Sequence, residues 1–88
     1  MKKILYFTAG WCTHCKTLKP LINQAKLQGV LVEEFNVDLA QAAGLTQKYS
    51  VRSLPTLVLL EGDREVKRQV GTFPQNNVDT IVNWYNNA

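Results

Sequence analysis

Residues 4–7, Ile-Leu-Tyr-Phe, form an uninterrupted apolar and aromatic run, the pattern of a strand covered on both faces, and the Ala9-Gly10 pair ends it. From Cys12 onward the apolar positions are Cys15, Leu18, Ile22 and Ala25, while Lys16, Lys19, Asn23 and Lys26 take the opposite side. That spacing predicts an amphipathic helix, closed at Gly29 by a left-handed cap and kinked at Pro20, which has no N–H to give Lys16. Residues 30–37, Val-Leu-Val-Glu-Glu-Phe-Asn-Val, read as a second strand, parallel to the first by the right-handed crossover rule. Asp38 is the expected cap of a shorter helix running to about Tyr49, with Leu39, Ala42, Ala43, Leu45 and Tyr49 available for packing. Residues 56–60, Thr-Leu-Val-Leu-Leu, read as another buried strand. The turn residues Glu61-Gly62-Asp63 lead into a polar strand over 65–70 whose Lys67 and Arg68 suit a sheet edge. Val78, Ile81, Val82 and Tyr85 repeat at helical spacing. The element order is βαβαββα, an α/β fold with a mixed four-stranded sheet and helices on both faces, within one domain spanning 1–88.

Composition adds little to that picture and excludes some functions. Hydrophobic residues make up 45% and charged residues 19% of the 88 positions, a folded, globular balance. The net charge is +3, but the ten Lys and Arg are scattered without interleaved aromatics, which argues against nucleic-acid binding. The opening Met1-Lys2-Lys3 followed by a four-residue apolar run is shorter than the roughly 7–15 apolar residues of an export signal. No stretch approaches the ~20 apolar residues of a membrane span. A cytoplasmic protein without membrane attachment is expected, with monomer the default state.

The only two cysteines lie in Ala9-Gly10-Trp11-Cys12-Thr13-His14-Cys15-Lys16. Two buried structural thiols are one reading. A structural zinc needs about four ligands, whereas two thiols and His14 are on offer; an iron–sulfur cluster shared between two chains is a further alternative. The redox reading supplies a mechanism. Cys12 at a helix N-terminus faces unpaired N–H groups that stabilise a thiolate, and Cys15, one turn on and on the apolar face, is placed to resolve a mixed disulfide. A Cys-x-x-Cys beside a βαβ pattern favours this reading, which requires no metal or other cofactor.

At these residues the chain resembles the thioredoxin family over nearly its whole length. Trp11-Cys12-Thr13-His14-Cys15-Lys16 is similar to the family's WCxxCK site, Asn36-Val37-Asp38 to the end of its next strand, and Tyr49–Leu57 to its Y-x-[VI]-x-x-[IV]-P-T-L signature. Val70-Gly71 matches the close of its last strand. The resemblance implies a cis Leu54–Pro55 bond beside the cysteines, and a substrate groove in which Leu54 pairs with an incoming peptide between Trp11 and Gly71. It also implies disulfide-containing protein substrates, with a thioredoxin-reductase-like enzyme or glutathione as electron donor.

Three departures from the pattern shape expectations. The chain lacks the strand and helix that open full-length thioredoxins, which leaves a trimmed core. Tyr6 stands where the family has a buried Asp, and Glu34 where that Asp's Lys partner would be; Glu34 is expected to serve as the carboxylate near Cys15. Thr13-His14 replaces Gly-Pro, and His14 resembles the loop of protein disulfide isomerases, so a reduction potential between about −270 and −180 mV is expected. The function read here is protein thiol–disulfide exchange through a Cys12/Cys15 dithiol–disulfide cycle. Its rivals are a glutathione-dependent, glutaredoxin-like enzyme and a binding module that keeps the fold without turnover.

Overall fold

In the computed structural model, residues 1–87 are described. Strand β1 (Lys2–Thr8) is central, flanked by β2 (Val32–Asn36) in parallel and by β3 (Thr56–Glu61) in antiparallel, and β4 (Arg64–Val70) closes the other edge, giving the order β2-β1-β3-β4. Helix α1 (Thr13–Leu27) makes the crossover between the parallel strands. A 3-10 turn (Ala40–Ala42) leads into α2 (Ala43–Lys48), and α3 (Val78–Asn86) ends the chain.

The apolar run of β1 divides by parity. Ile4 and Tyr6 join Leu18, Ile22 and Ala25 of α1, Leu57 and Leu59 of β3, and Ile81 of α3 in one buried cluster. Leu5 and Phe7 face the other way, onto Val58, Leu60 and Tyr49, with Phe35 and Leu45 at the margin. Alternate side chains of a strand point to opposite faces, so a continuous apolar run is what two helical layers require. Burying each large aliphatic side chain contributes about 1.5–3 kcal/mol before chain entropy is counted.

The ends of α1 follow from its sequence. Pro20 lies within the helix, which continues through it to Leu27. At the C-terminus Gly29 N–H donates to Lys26 C=O (3.1 Å) and Val30 N–H to Ala25 C=O (3.1 Å), with Gly29 at φ +92°. This is the Schellman pattern, in which glycine tolerates the left-handed residue and the next residue buries an apolar side chain. The expected second strand therefore starts two residues late: Val30, 4% exposed, belongs to the helix cap.

The second correction concerns Asp38. It caps no helix: Leu39 precedes the 3-10 turn without a side-chain cap, and Asp38 N–H instead donates to Asn36 Oδ1 in an Asx turn (2.9 Å). Of the residues expected to pack from this segment, Ala42 and Tyr49 are buried and Leu45 is half-buried, while Leu39 and Ala43 are exposed. A 3-10 turn followed by a six-residue helix does not present one continuous 3.6-residue stripe, so a stripe drawn across both misplaces its first members. The hairpin turns on Gly62 at φ +63°, and Val66 is an extra residue of β4 opposite the Leu59–Leu60 step, a β-bulge on the edge strand.

Candidate active site

The site forms where β1 ends and α1 begins. Cys12 is the N-cap residue of α1, with extended backbone (φ −85°, ψ 110°), and the Cys15 N–H donates to Cys12 Sγ at 3.2 Å. Sulfur thus takes the place usually held by a Ser or Asp oxygen, on one of the orphan donors of the first turn. The two cysteines are joined in a disulfide with their Cα atoms 5.2 Å apart. Cys15 is 2% exposed, as its place on the apolar stripe predicts. Cys12 is 6% exposed, less than its helix-end position suggests, because Ala9, Val37 and Leu54 pack around the pair.

Thr13 and His14 are exposed on the first turn of α1. Trp11 is 67% exposed, and its indole Nε1 donates to Asp38 Oδ2 at 2.9 Å. That bond accounts for Asp38 better than capping does, and no periodicity in the sequence signals a partner 27 residues away. Beside the pair, the Leu54–Pro55 peptide bond is cis and Gly71 N–H donates to Pro55 C=O at 2.8 Å. Gly71 takes φ +82°, a conformation that favours glycine. Pro55 is buried and Leu54 half-buried, and no backbone hydrogen bond engages Leu54 N–H or C=O among the described residues.

Behind Cys15 lies a cavity of about 220 Å³ walled by Thr8, Ala9, Gly10, Cys15, Lys16, Lys19, Glu34 and Asn36. Glu34 therefore shares a cavity with Cys15, and its Oε2 is paired to Lys19 Nζ at 3.1 Å. Lys19 follows from helical geometry, since it sits one turn beyond Cys15 on α1 and meets the strand beside it. Tyr6, which pairs with Glu34 in the sheet register, is fully buried and donates from its hydroxyl to Cys15 C=O at 3.1 Å. Its pKa is raised above the ordinary 10.0 chiefly because burial strips the phenolate of water, against a lowering hydrogen bond from Thr8. No group of three His, Cys, Asp or Glu side chains placed to hold a metal occurs among the described residues.

This geometry brings Trp11, Cys12, Cys15, Leu54, Pro55 and Gly71 to one end of the sheet, with Glu34 behind it. The thioredoxin family profile matches residues 1–85. The chain is similar to thioredoxin of Chlamydia caviae (33% identity over 82 residues, 91% of this chain and 78% of the relative). It is also similar to thioredoxin of Haemophilus influenzae (32% over 83 residues, 91% and 76%). Among solved structures, a mutant thioredoxin from Halobacterium salinarum superposes with a TM-score of 0.78 at 30% identity, covering 96% of this chain and 74% of that one. A malaria parasite thioredoxin-2 reaches 0.84 at 23% identity, covering 100% and 84%, a likeness of fold. A cysteine pair at disulfide distance on a helix N-terminus, in a chain matched by that profile along almost all its length, makes this protein a member of the thioredoxin family and a thiol–disulfide oxidoreductase.

Proposed function

We propose that this chain reduces protein disulfides with Cys12 as the attacking sulfur and Cys15 as the resolving one. The observation that carries the assignment is the Cys15 N–H held on Cys12 Sγ at 3.2 Å at the positive end of α1. After reduction the same donor faces a thiolate, the form that attacks disulfides. Cys12 Sγ bonds to one substrate sulfur and the other leaves as a thiol. Cys15 then loses its proton, bonds to Cys12 Sγ and releases the second thiol, so two electrons pass to the substrate and the Cys12–Cys15 disulfide closes.

Leu54 supports the substrate side of this reading. Its free N–H and C=O beside the cysteines suit an extended peptide added like a strand, with Trp11, Pro55 and Gly71 around it. Glu34, paired with Lys19 in the cavity it shares with Cys15, accepts the proton that Cys15 gives up. Thr13 and His14 set the potential from the exposed first turn, holding it between those of thioredoxin and disulfide isomerase, about −270 and −180 mV. A thioredoxin-reductase-like enzyme or glutathione returns the dithiol, and no metal or organic cofactor takes part. The reducing cytoplasm is the fitting compartment for such a cycle; no helix among the described residues is long and apolar enough to cross a membrane.

The test is trapping. Cys15→Ser, incubated with a disulfide-containing protein such as insulin, accumulates a covalent adduct through Cys12 that a reducing agent releases, whereas Cys12→Ser accumulates none. Adducts through Cys15 instead reverse the two roles. A parent protein that holds partners without turning over any disulfide leaves a binding module.

A further inference from the structure

Beside the cysteine pair, and separate from the cavity behind Cys15, lies a second cleft of about 280 Å³, walled by Trp11, Val37, Thr46, Val51, Arg52, Ser53 and Leu54. Two of its walls, Val37 and Leu54, also pack directly around Cys12 and Cys15, so the cleft adjoins the reacting sulfurs. Its floor is apolar. Arg52 is exposed and, among the described residues, takes part in no ion pair or side-chain hydrogen bond, unlike Arg68, Lys3 and Lys19. Asp38, the carboxylate that touches the cleft wall at Trp11, is occupied by the indole N–H at 2.9 Å.

The Arg52 loop is held rather than loose. Tyr49 N–H donates to Leu45 C=O (3.0 Å), Ser50 N–H to Gln47 C=O (3.2 Å) and Val51 N–H to Thr46 C=O (2.9 Å). From the sheet side, Arg68 Nη2 donates to Tyr49 C=O at 2.7 Å while its other donors grip Glu65. Ser50 turns the chain at φ +52° immediately before Val51 and Arg52, two walls of the cleft. A preformed apolar cleft with one uncommitted guanidinium at its rim has the character of a selective site for an apolar side chain accompanied by a carboxylate.

We propose that this cleft sets substrate preference, and that the preferred partner is a protein segment in which the disulfide cysteine has an apolar residue beside it in sequence and Asp or Glu a residue or two beyond that. The apolar side chain enters the cleft and the carboxylate pairs with Arg52. This rests on the disulfide-reducing role of the cysteine pair and adds to it a class of substrate.

The test uses the full chain, reduced beforehand, and short peptides whose one cysteine is disulfide-bonded to thionitrobenzoate. Cys12 attacks the peptide sulfur and the coloured thiolate leaves; Cys15 then displaces the peptide thiol, so each turnover reduces one disulfide and forms one. Peptides with leucine beside the cysteine carry glutamate, glutamine or lysine further on. The glutamate peptide is expected to react about two- to fivefold faster than the glutamine one at low ionic strength, the range of an exposed ion pair, with lysine slowest. The preference falls toward one near 1 M salt, where the screening length is about 3 Å. Arg52→Gln removes it and Arg52→Glu inverts it, while Arg52→Lys retains part. Replacing the leucine by glycine slows the glutamate peptide by roughly tenfold. A glutamate preference that is absent, or that persists in Arg52→Gln, overturns the proposal, as does a defect of Arg52→Gln confined to glutathione disulfide. The parent's reduction of hydroxyethyl disulfide is the reference: if that fails, the reading of the cysteine pair fails first, and if it succeeds while the preference is missing, only the substrate class is wrong.

Discussion

The hydroxyl of Tyr6, at the centre of the sheet, donates to the carbonyl of Cys15 at 3.1 Å and so ties the first turn of α1 to β1. Tyr6→Phe keeps the ring and deletes this bond. The expected loss is about 1 kcal/mol of unfolding free energy by urea denaturation, because the Cys15 carbonyl belongs to the helix ladder and the ring still fills its place. The same variant changes the alkaline limb. With its folded pKa above 10.0, Tyr6 stays protonated in the native state after unfolded chains have begun to ionise, so the native state binds more protons and stability falls as pH rises past 10. Tyr6→Phe therefore flattens the loss of stability above pH 10 while leaving the neutral-pH slope as it was. Parallel alkaline limbs in parent and variant would refute this assignment.

Glu34 offers a kinetic prediction. Cys15 lines a cavity it shares with Glu34 and Lys19, so in the proposed cycle the proton it releases has a carboxylate within the same cavity. In Glu34→Gln, the second phase of a single turnover, closure of the Cys12–Cys15 disulfide onto a preformed mixed disulfide, is expected to slow by roughly tenfold or more. The preceding attack by Cys12 is the internal reference, followed in the same stopped-flow trace. Equal slowing of both phases would point to a structural defect, and an unchanged second phase would remove Glu34 from the proton's path.

How much of this was legible in the sequence depends on range. The stripe Cys15-Leu18-Ile22-Ala25 and the unbroken Ile4–Phe7 run depend on local period and parity, and both appear in the fold with the burial they imply. The cysteine pair was legible because both members lie on one helical turn. What escaped is set by contacts between distant segments. Trp11 takes Asp38 from its expected cap, Lys19 of α1 takes Glu34 of β2, and Arg68 reaches the Tyr49 carbonyl from the sheet edge. None of these has a periodic signature, since each depends on where the register sets two chain segments side by side. Val30 was lost to the strand reading for another reason: a buried apolar residue after a helix-capping glycine looks, in sequence, like the first residue of a strand.

Two glycines separate backbone demand from mere small size. Gly29 holds φ +92° at the end of α1, where a side chain meets no neighbour within 4 Å, so the cost of Gly29→Ala is conformational alone. About 1–2 kcal/mol is expected from the left-handed penalty, read as a lower urea midpoint with unchanged slope. Gly44, exposed within α2, has helical surroundings and equally open space. There Gly44→Ala is expected to stabilise by about 0.5–1 kcal/mol, because alanine loses less backbone freedom on folding. The opposite signs are the test, since a general intolerance of added methyl groups on this small fold lowers both midpoints. If Gly29→Ala is instead neutral, the Ala25 and Lys26 carbonyls are satisfied without the left-handed cap, and the start of β2 is set by the Ile4 N–H bond to the Leu31 carbonyl (2.8 Å) rather than by the helix end.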